Sequence, residues 1–504
     1  MHDFIGMEEF FDHDYARRTD HRFHAMGCEI SPDMFAPARK ADQERRRMEK
    51  SQPWATQVDI AWIICLCRSG AIDRAKAVKI LGALDQAWND NTGVSGEERL
   101  VKVLDGDIDL ASTVNYGRTL QEPMYRLKLR DKMMDVIDDT LDLLNVIHRL
   151  CMENLDTVMV GHTHMNHGQP ITYAHFMISA FDGIHRSLEQ LELAYRFTNV
   201  NSGGCGSCSG TAWPVDRELM AELLGLDGVM EPTYDCESSQ DHSMAIMFAL
   251  SNMSIHLSRY SMSHYIWAFD EIDMIRTHPS MCGVSSFMPQ KCDSGSNYER
   301  VRISAADVMG ETVKGMLQLK SEPHGDILQA LHLPGYAIEA MIHGQVCIGM
   351  FTNMLRHLVL QKARMLEIVR AGYSCATEVA YCLIKDHGYG GRLAHSIVAT
   401  MVRNARAQGL KSYQCTGEML DQAADYLDAR KPNIDTAALQ KCLDPEEFIR
   451  SHDHLGGTAP EENRRLLVKR RKLLEQAEER HRERQLKIKT CLEKLSHISK
   501  TGDL

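Results

Sequence analysis

Nowhere in this sequence do apolar residues run on for the roughly 20 positions that a membrane-spanning helix needs. The best approach, Ile60 to Leu66, stops at Cys67 and Arg68, so no membrane partner is expected. Positive charge is scarce as well: the formal net charge is -12, and the only dense basic run lies near the C-terminus. That balance excludes nucleic acid as a partner, because phosphate binding needs a concentrated basic surface. The N-terminus opens with acids, MHDFIGMEEFFDHDYARR, and has no basic region leading into an apolar one. No signal peptide is therefore expected, and a cytoplasmic location follows. Short alternating β-branched runs bounded by turn dipeptides are nearly absent. No dinucleotide fingerprint, P-loop or metal-ligand set is found, so neither a cofactor nor a metal is expected.

What is present describes a globular chain: 504 residues, 44% hydrophobic and 25% charged. At about 150 residues per domain the length predicts roughly three domains. The 15 cysteines, an odd number scattered among hydrophobic stretches, read as buried thiols in a reducing compartment, and the 29 methionines as core filling. A small anionic substrate stays open, since a local cluster of cations decides that matter rather than the total.

Residues up to about Glu49 carry His, Arg, Asp and Met without clear periodicity and read as an irregular arm. From Val58 the spacing turns helical, broken at Gly70 and Asp73. Long apolar-periodic segments recur from Met124 to Thr157, Thr172 to Thr198, Ser238 to Phe269, Tyr298 to Leu319 and His332 to Val369. Such helices suit an all-α bundle. Three domains are expected: 1–123, an arm and small helical domain; 124–370, the central bundle; and 371–504. In the last, glycines at 388, 390, 391, 409 and 417 cut the chain into short helices before a basic terminal helix begins after Pro460. Glutamates interleave with the cations of that helix, so it reads as packing on its own subunit or a partner.

Chemistry concentrates in GVSSFMPQKCDSGSN, residues 283–297, which puts hydroxyls, a lysine and glycines in one helix-breaking segment. Such a loop can close over an anion: Gly283 and Gly295 give hinge freedom, Ser285 and Ser286 give hydroxyls, and Lys291 gives a cation for a carboxylate or developing enolate. A polar surface loop is the plain alternative. GHTHMNHGQ, residues 161–169, holds three imidazoles, but not at the spacing of a helical metal-binding pair. Cys205 and Cys208 form a CxxC pair with no second pair, and both read as structural.

SSFMPQK resembles the signature loop of the fumarase/aspartase superfamily, usually GSSxMPxKxN. HTHMNHGQPIT resembles the YTHLQxAQPxT segment of argininosuccinate lyases, with His162 at the tyrosine and Asn166 at the glutamine position. GGCGSCSGTAWPVDR resembles GSGALAGNPLGVDR, with Gly204, Gly206 and Gly210 on its glycines. GYSCATEVAYCLIKDHG, LAHSIV and LGGTAPEENRRLL resemble later segments of the same family. In order, these matches span roughly Asp109 to Leu467 and narrow the superfamily to the argininosuccinate lyase family.

The resemblance implies a homotetramer of three-domain all-α subunits, with each active site built from three chains and a small dicarboxylate/amine substrate. It implies reversible β-elimination of an amine from an N-substituted aspartate, giving fumarate. By the same resemblance Ser285 is the base, His164 oriented by Glu299 assists proton transfer, Lys291 steadies the carboxylate, and Thr163 binds it. Ser286, Met288, Gln169 and Asn297 complete the pocket. Arg118 and Thr119, with Asn115, take the place of the family's GRSRNDQ in STVNYGRTLQEPMYRLKLRD.

Two departures bear on the substrate: Asp293 stands at the usual Asn, where it repels a substrate carboxylate unless the loop turns it away or the substrate brings a cation of its own, and Lys320 stands at the usual tyrosine of the segment that grips arginine. The reading is therefore a lyase of an aminopolycarboxylic acid, similar to ethylenediamine-disuccinate lyase or aspergillomarasmine synthase. Argininosuccinate lyase itself, or a non-catalytic crystallin-like tetramer, are the alternatives.

Overall fold

The computed structural model describes residues 31–88, 96–119, 123–284, 292–293, 296–325 and 327–504. Residues 36–49 correct the expectation of an irregular arm. Ala36–Glu49 (α1) is a helix with a proline in its first turn. Its Ala, Arg, Lys, Gln and Glu favour helix without needing an apolar stripe. A thin buried face of Pro37, Ala41 and Met48 meets the core, and ion pairs flank it, Lys40 to Asp139, Glu44 to Lys132, Arg45 to Glu339 and Arg47 to Asp135. Hydrophobic periodicity is blind to a helix held in that way.

Gln52–Arg68 (α2) and Arg74–Ala87 (α3) follow as the spacing predicts. Gly70 turns the chain between them at φ 78, and Asp73 caps α3 by accepting from the Lys76 N–H at 2.8 Å. Gly96–Val103 (α4) is short. Five long helices form the body: Met124–Met152 (α5), Tyr173–Thr198 (α6), Asp241–Trp267 (α7), Ser296–Leu319 (α8) and Ile327–Arg356 (α9). They pack α5 on α6 and α9, α6 on α7, and α8 on both α7 and α9. Leu127, Ile137, Phe181, Leu250, Val301 and Phe351 lie buried between them. At 1.5 Å per residue these rods are about 35 to 45 Å long. They are stiff enough to carry side chains at fixed places on their ends.

Between α5 and α6 lies an antiparallel hairpin, Val158–Thr163 (β1) and Asn166–Thr172 (β2). A second expectation is corrected near α9. In place of one helix from His332 to Val369, α9 stops at Arg356. Leu358–Leu360 then pairs antiparallel with Ile275–Thr277, and Lys362–Ala371 (α10) follows. The His278 N–H bonds the His357 carbonyl at 2.8 Å, and the Gln361 N–H bonds that of Met274 at 3.0 Å. Backbone groups that leave the helix are thus satisfied across the short ladder. A run such as Leu-Val-Leu fits strand and helix periods alike.

Beyond α10, Ala376–Lys385, Gly391–Ala407, Gly417–Asp425, Thr436–Cys442 and Pro445–Ser451 enclose a second apolar core around Leu383, Ile397, Leu420 and Phe448. The glycines expected to cut this region do so. Gly388 and Gly409 are left-handed at helix ends, and a Cβ at Gly417 would sit 1.9 Å from the Ile434 carbonyl oxygen. The basic helix Pro460–Thr501 returns to α5 and α3 and puts Leu467, Leu474 and Ala477 into the first core. Among the described residues no helix is long and apolar enough to cross a membrane.

Candidate active site

The β1–β2 hairpin presents His164. Thr163 pairs with Asn166, so His164 and Met165 form a two-residue turn, and both have left-handed backbones, φ 52 and 57. That is the geometry which matches strand twist in a tight hairpin, although neither residue is Gly, Asn or Asp. The Asn166 side-chain N–H secures the turn by donating to the His164 carbonyl at 2.9 Å. Two glycines let the strands approach where the register shifts: a Cβ on Gly161 would meet the Gln169 carbonyl oxygen at 3.0 Å, and one on Gly168 that of Gly161 at 3.1 Å. Thr163, His164 and Gln169 are all exposed. His162 and His167 meet edge to face across the strands, 5.5 Å apart. Both are pushed below the ordinary imidazole value, first by desolvation and then by a neighbouring positive charge, His167 for one and Arg406 for the other.

The foot of the hairpin is anchored by residues that motif reading passed over. Thr172 is fully buried and caps α6, accepting from the His175 N–H at 3.1 Å. Its hydroxyl also accepts from Asn463 at 2.9 Å, and its own N–H donates to the Thr458 hydroxyl at 3.1 Å. Thr458 and Asn463 belong to GGTAPEEN, so this segment works as a clamp on the hairpin. The signal for that role was there only as a family match without a function.

Glu299, on the first turn of α8, accepts from the Tyr265 hydroxyl at 2.9 Å, near the end of α7. The ring of Trp267 at the same end lies 6.4 Å from that of His162. The hairpin and the start of α8 therefore gather at one end of α7. Among the bonds of the described residues Glu299 pairs with Tyr265 and the His164 carbonyl with Asn166. Asn297 is buried and gives its amide to the Met281 carbonyl at 3.2 Å. Its side-chain amide thus fastens α8 to the preceding turn. Gly283–Val284 pairs with Cys292–Asp293, so the two ends of the serine loop run together as a small ladder. Ser285, Ser286, Met288 and Lys291 lie outside the described residues.

Arg118 lies inside the fold. Its side chain is 2% exposed and its guanidinium is ion-paired with Asp59, itself 4% exposed, so it is not an open cation on a pocket wall. Thr119 donates to the Gly206 carbonyl at 3.4 Å, which joins this segment to the glycine loop of residues 203–210. Gly204, Gly206 and Gly210 there are all left-handed, at φ 82, 55 and 79. Cys205 is buried with its thiol 3.2 Å from the Glu237 carboxylate, and it is a free thiol, as is Cys208. Asn115 gives its amide to Glu97 at 2.6 Å. Lys320 is exposed just past α8 and donates to the Ser321 hydroxyl at 2.6 Å. Beside it opens a cleft of about 520 Å³ lined by Gln240, Asp241, Phe248, Glu322 and His324.

Residues 72–310 match a family model described as Lyase, and residues 373–450 one described as Argininosuccinate lyase C-terminal. The argininosuccinate lyase of Methanocaldococcus jannaschii is 29% identical over 431 residues, covering 82% of this chain and 87% of the relative. That of Citrifermentans bemidjiense is 33% identical over 300 residues, 58% and 65% of the two chains. Among solved structures, EDDS lyase in complex with formate aligns with a TM-score of 0.87 at 22% identity, over 96% of this chain and 98% of that one. The long-helix bundle is the all-α fold of the fumarase/aspartase lyases, as expected. Within that superfamily the chain belongs to the argininosuccinate lyase family, and it is a carbon-nitrogen lyase.

Proposed function

We propose that this lyase catalyses reversible β-elimination of an amine from an N-substituted aspartate, an aminopolycarboxylic acid, releasing fumarate. The observation that carries the reading is the hairpin tip, which holds His164 and Thr163 out from the body on a left-handed turn in a chain of this family. In this reading Ser285 takes the Cβ proton. A neutral serine is a weak base, so Lys291 and loop amides must favour its ionised form and also hold the developing aci-carboxylate. His164, oriented by Glu299, delivers a proton toward the leaving nitrogen. Thr163 and Gln169, with Ser286 and Met288, contact the dicarboxylate, and closure of the serine loop excludes water.

In this reading the His164–Glu299 pair forms between subunits of a homotetramer, as the family resemblance implies. Phe248, Ile255 and Met262 support that assembly: they fall seven residues apart on α7, all exposed, as a stripe that wants covering.

For the amine half, Lys320 stands in the segment that grips arginine in relatives, which favours a different amine. Asp241 and Glu322 beside Lys320 put two carboxylates on the cleft wall, so the amine carries a second positive charge, as a diamine or diamino acid does. A guanidinium satisfies the same pair, which keeps argininosuccinate as the second reading. The test incubates the purified protein with fumarate and arginine, aspartate, ethylenediamine or diaminopropionate, and follows adducts by mass spectrometry beside Ser285→Ala. A serine-dependent adduct with a diamine is the expected result. An adduct with arginine alone restores the second reading, and no adduct from folded protein sinks both.

A further inference from the structure

A cleft of about 530 Å³ opens where the β1–β2 hairpin meets α10 and the helix Gly391–Ala407. His167 of β2 lines one side of it, and Arg364, Arg406 and Lys411 line the rest. The seam is tight: a Cβ on Gly372 would stand 2.8 Å from the His167 Nδ1. The helix ends in a reversal, with the Gly409 N–H on the Arg406 carbonyl and the Leu410 N–H on that of Ala405, both at 3.0 Å, and Gly409 left-handed at φ 71. That turn brings Lys411 to the same cleft as Arg406.

The carboxylate on the cleft wall, Glu367, is already engaged, accepting from Arg364 at 3.0 Å. Arg364 gives its other nitrogens to the Ile272 and Glu271 carbonyls at 3.1 and 3.3 Å. Those two charges cancel. Arg406 and Lys411 enter no ion pair among the described residues, which leaves two positive charges on a concave wall. The Arg406 guanidinium lies 5.3 Å from the centre of the Tyr373 ring, and that ring is pinned by its hydroxyl donating to the Leu410 carbonyl at 2.7 Å. A ring face steadies the cation without occupying its donors. In a chain of net charge -12 this is a local reversal of sign, and a cleft concentrates it.

A phosphoryl group matches it: near neutral pH it carries about two negative charges, and its oxygens can take a guanidinium fork and an ammonium together. The cleft has room for more than that group, and the Tyr413 ring, 59% exposed, gives the remainder an aromatic wall. We infer that this cleft binds a phosphate monoester, with Arg406 and Lys411 on its phosphoryl oxygens and Tyr413 beside its organic part. Arg406, Lys411 and Tyr413 take no part in the proposed elimination, so the site stands whichever amine the lyase uses.

The test titrates inorganic phosphate and adenosine monophosphate into the full-length protein by calorimetry, for the unaltered chain, Arg406→Gln, Lys411→Gln and the two changes combined. Both side chains are exposed, so the variants are expected to fold, with circular dichroism as the check. Each single change should weaken binding of the monophosphate by about ten-fold and the combination by about a hundred-fold. The monophosphate should bind more tightly than phosphate, and fumarate at a concentration that saturates turnover should leave its Kd within about two-fold. Failure of the unaltered chain to bind the monophosphate, or an unchanged Kd in the combined variant, overturns the inference. Equal affinity for the two probes overturns the monoester and leaves inorganic phosphate as the ligand. Displacement by fumarate overturns the site, since it would place the phosphate among the elimination residues.

Discussion

His264 shows how far a single side chain can be bent from its ordinary chemistry by this bundle. It is fully buried near the end of α7, its Nδ1 bonded to the Tyr260 carbonyl at 2.8 Å and its Nε2 to the Tyr173 hydroxyl at 2.8 Å. Burial pushes its pKa down to about 4, against the pull of the Tyr260 carbonyl. Below the unfolded value of about 6.5 the unfolded chain takes up a proton that the native one refuses. Stability is therefore lost as pH falls from about 6.5 toward 4, by up to about 1.4 kcal/mol per pH unit. His242, held well below its usual value by burial and by Arg126, acts in the same direction. Urea midpoints at pH 7, 6 and 5 should fall steadily, and His264→Gln should flatten the fall; equal slopes for the two proteins would refute the assignment. At this scale the sequence identified His164 and Glu299 from motif position. It could not reveal Asp59, whose meaning depends on a partner 59 residues away.

Elements were legible where burial sets a period and hidden where something else does. α5, α6, α7 and α8 follow from apolar spacing because each is packed on several sides. α1 escaped because its buried face is thin and ion pairs flank it, and the β1–β2 hairpin because its exposed tip is polar on both faces. Of the two left-handed turn residues only His164 is assigned chemistry, while Met165 carries the same backbone strain with a side chain that is 73% exposed. Met165→Gly removes the Cβ clash, about 1 to 2 kcal/mol at such a position, partly offset by the unfolded-state freedom of glycine. The expected outcome is a thermal midpoint equal to or above that of the parent, with turnover kept. A marked fall in turnover with the midpoint unchanged would give Met165 a role in the site.

At the scale of the molecule the described residues form two cores, one around the long helices and one around residues 375–449, and the Pro460–Thr501 helix binds back onto the first. The candidate site belongs to neither core. Three of its pieces sit on exposed ends, the hairpin tip, the first turn of α8 and the turn after α8, while the Arg118 side chain is buried beside the glycine loop. Motif positions were readable in the sequence, but which of these pieces meet depends on packing between distant segments, which spacing along the chain does not encode.

The central claim, a fumarate-forming site shared between chains, is tested most directly by mixing. Ser285→Ala and His164→Asn are each expected to assemble and to lose turnover by about three orders of magnitude. Unfolded and refolded together, they should form hybrid tetramers in which some sites draw both intact residues from different chains, with activity recovering to as much as about a quarter of the parent. Hybrids shown by native mass spectrometry to contain both chains, yet no more active than either variant alone, would contradict the account.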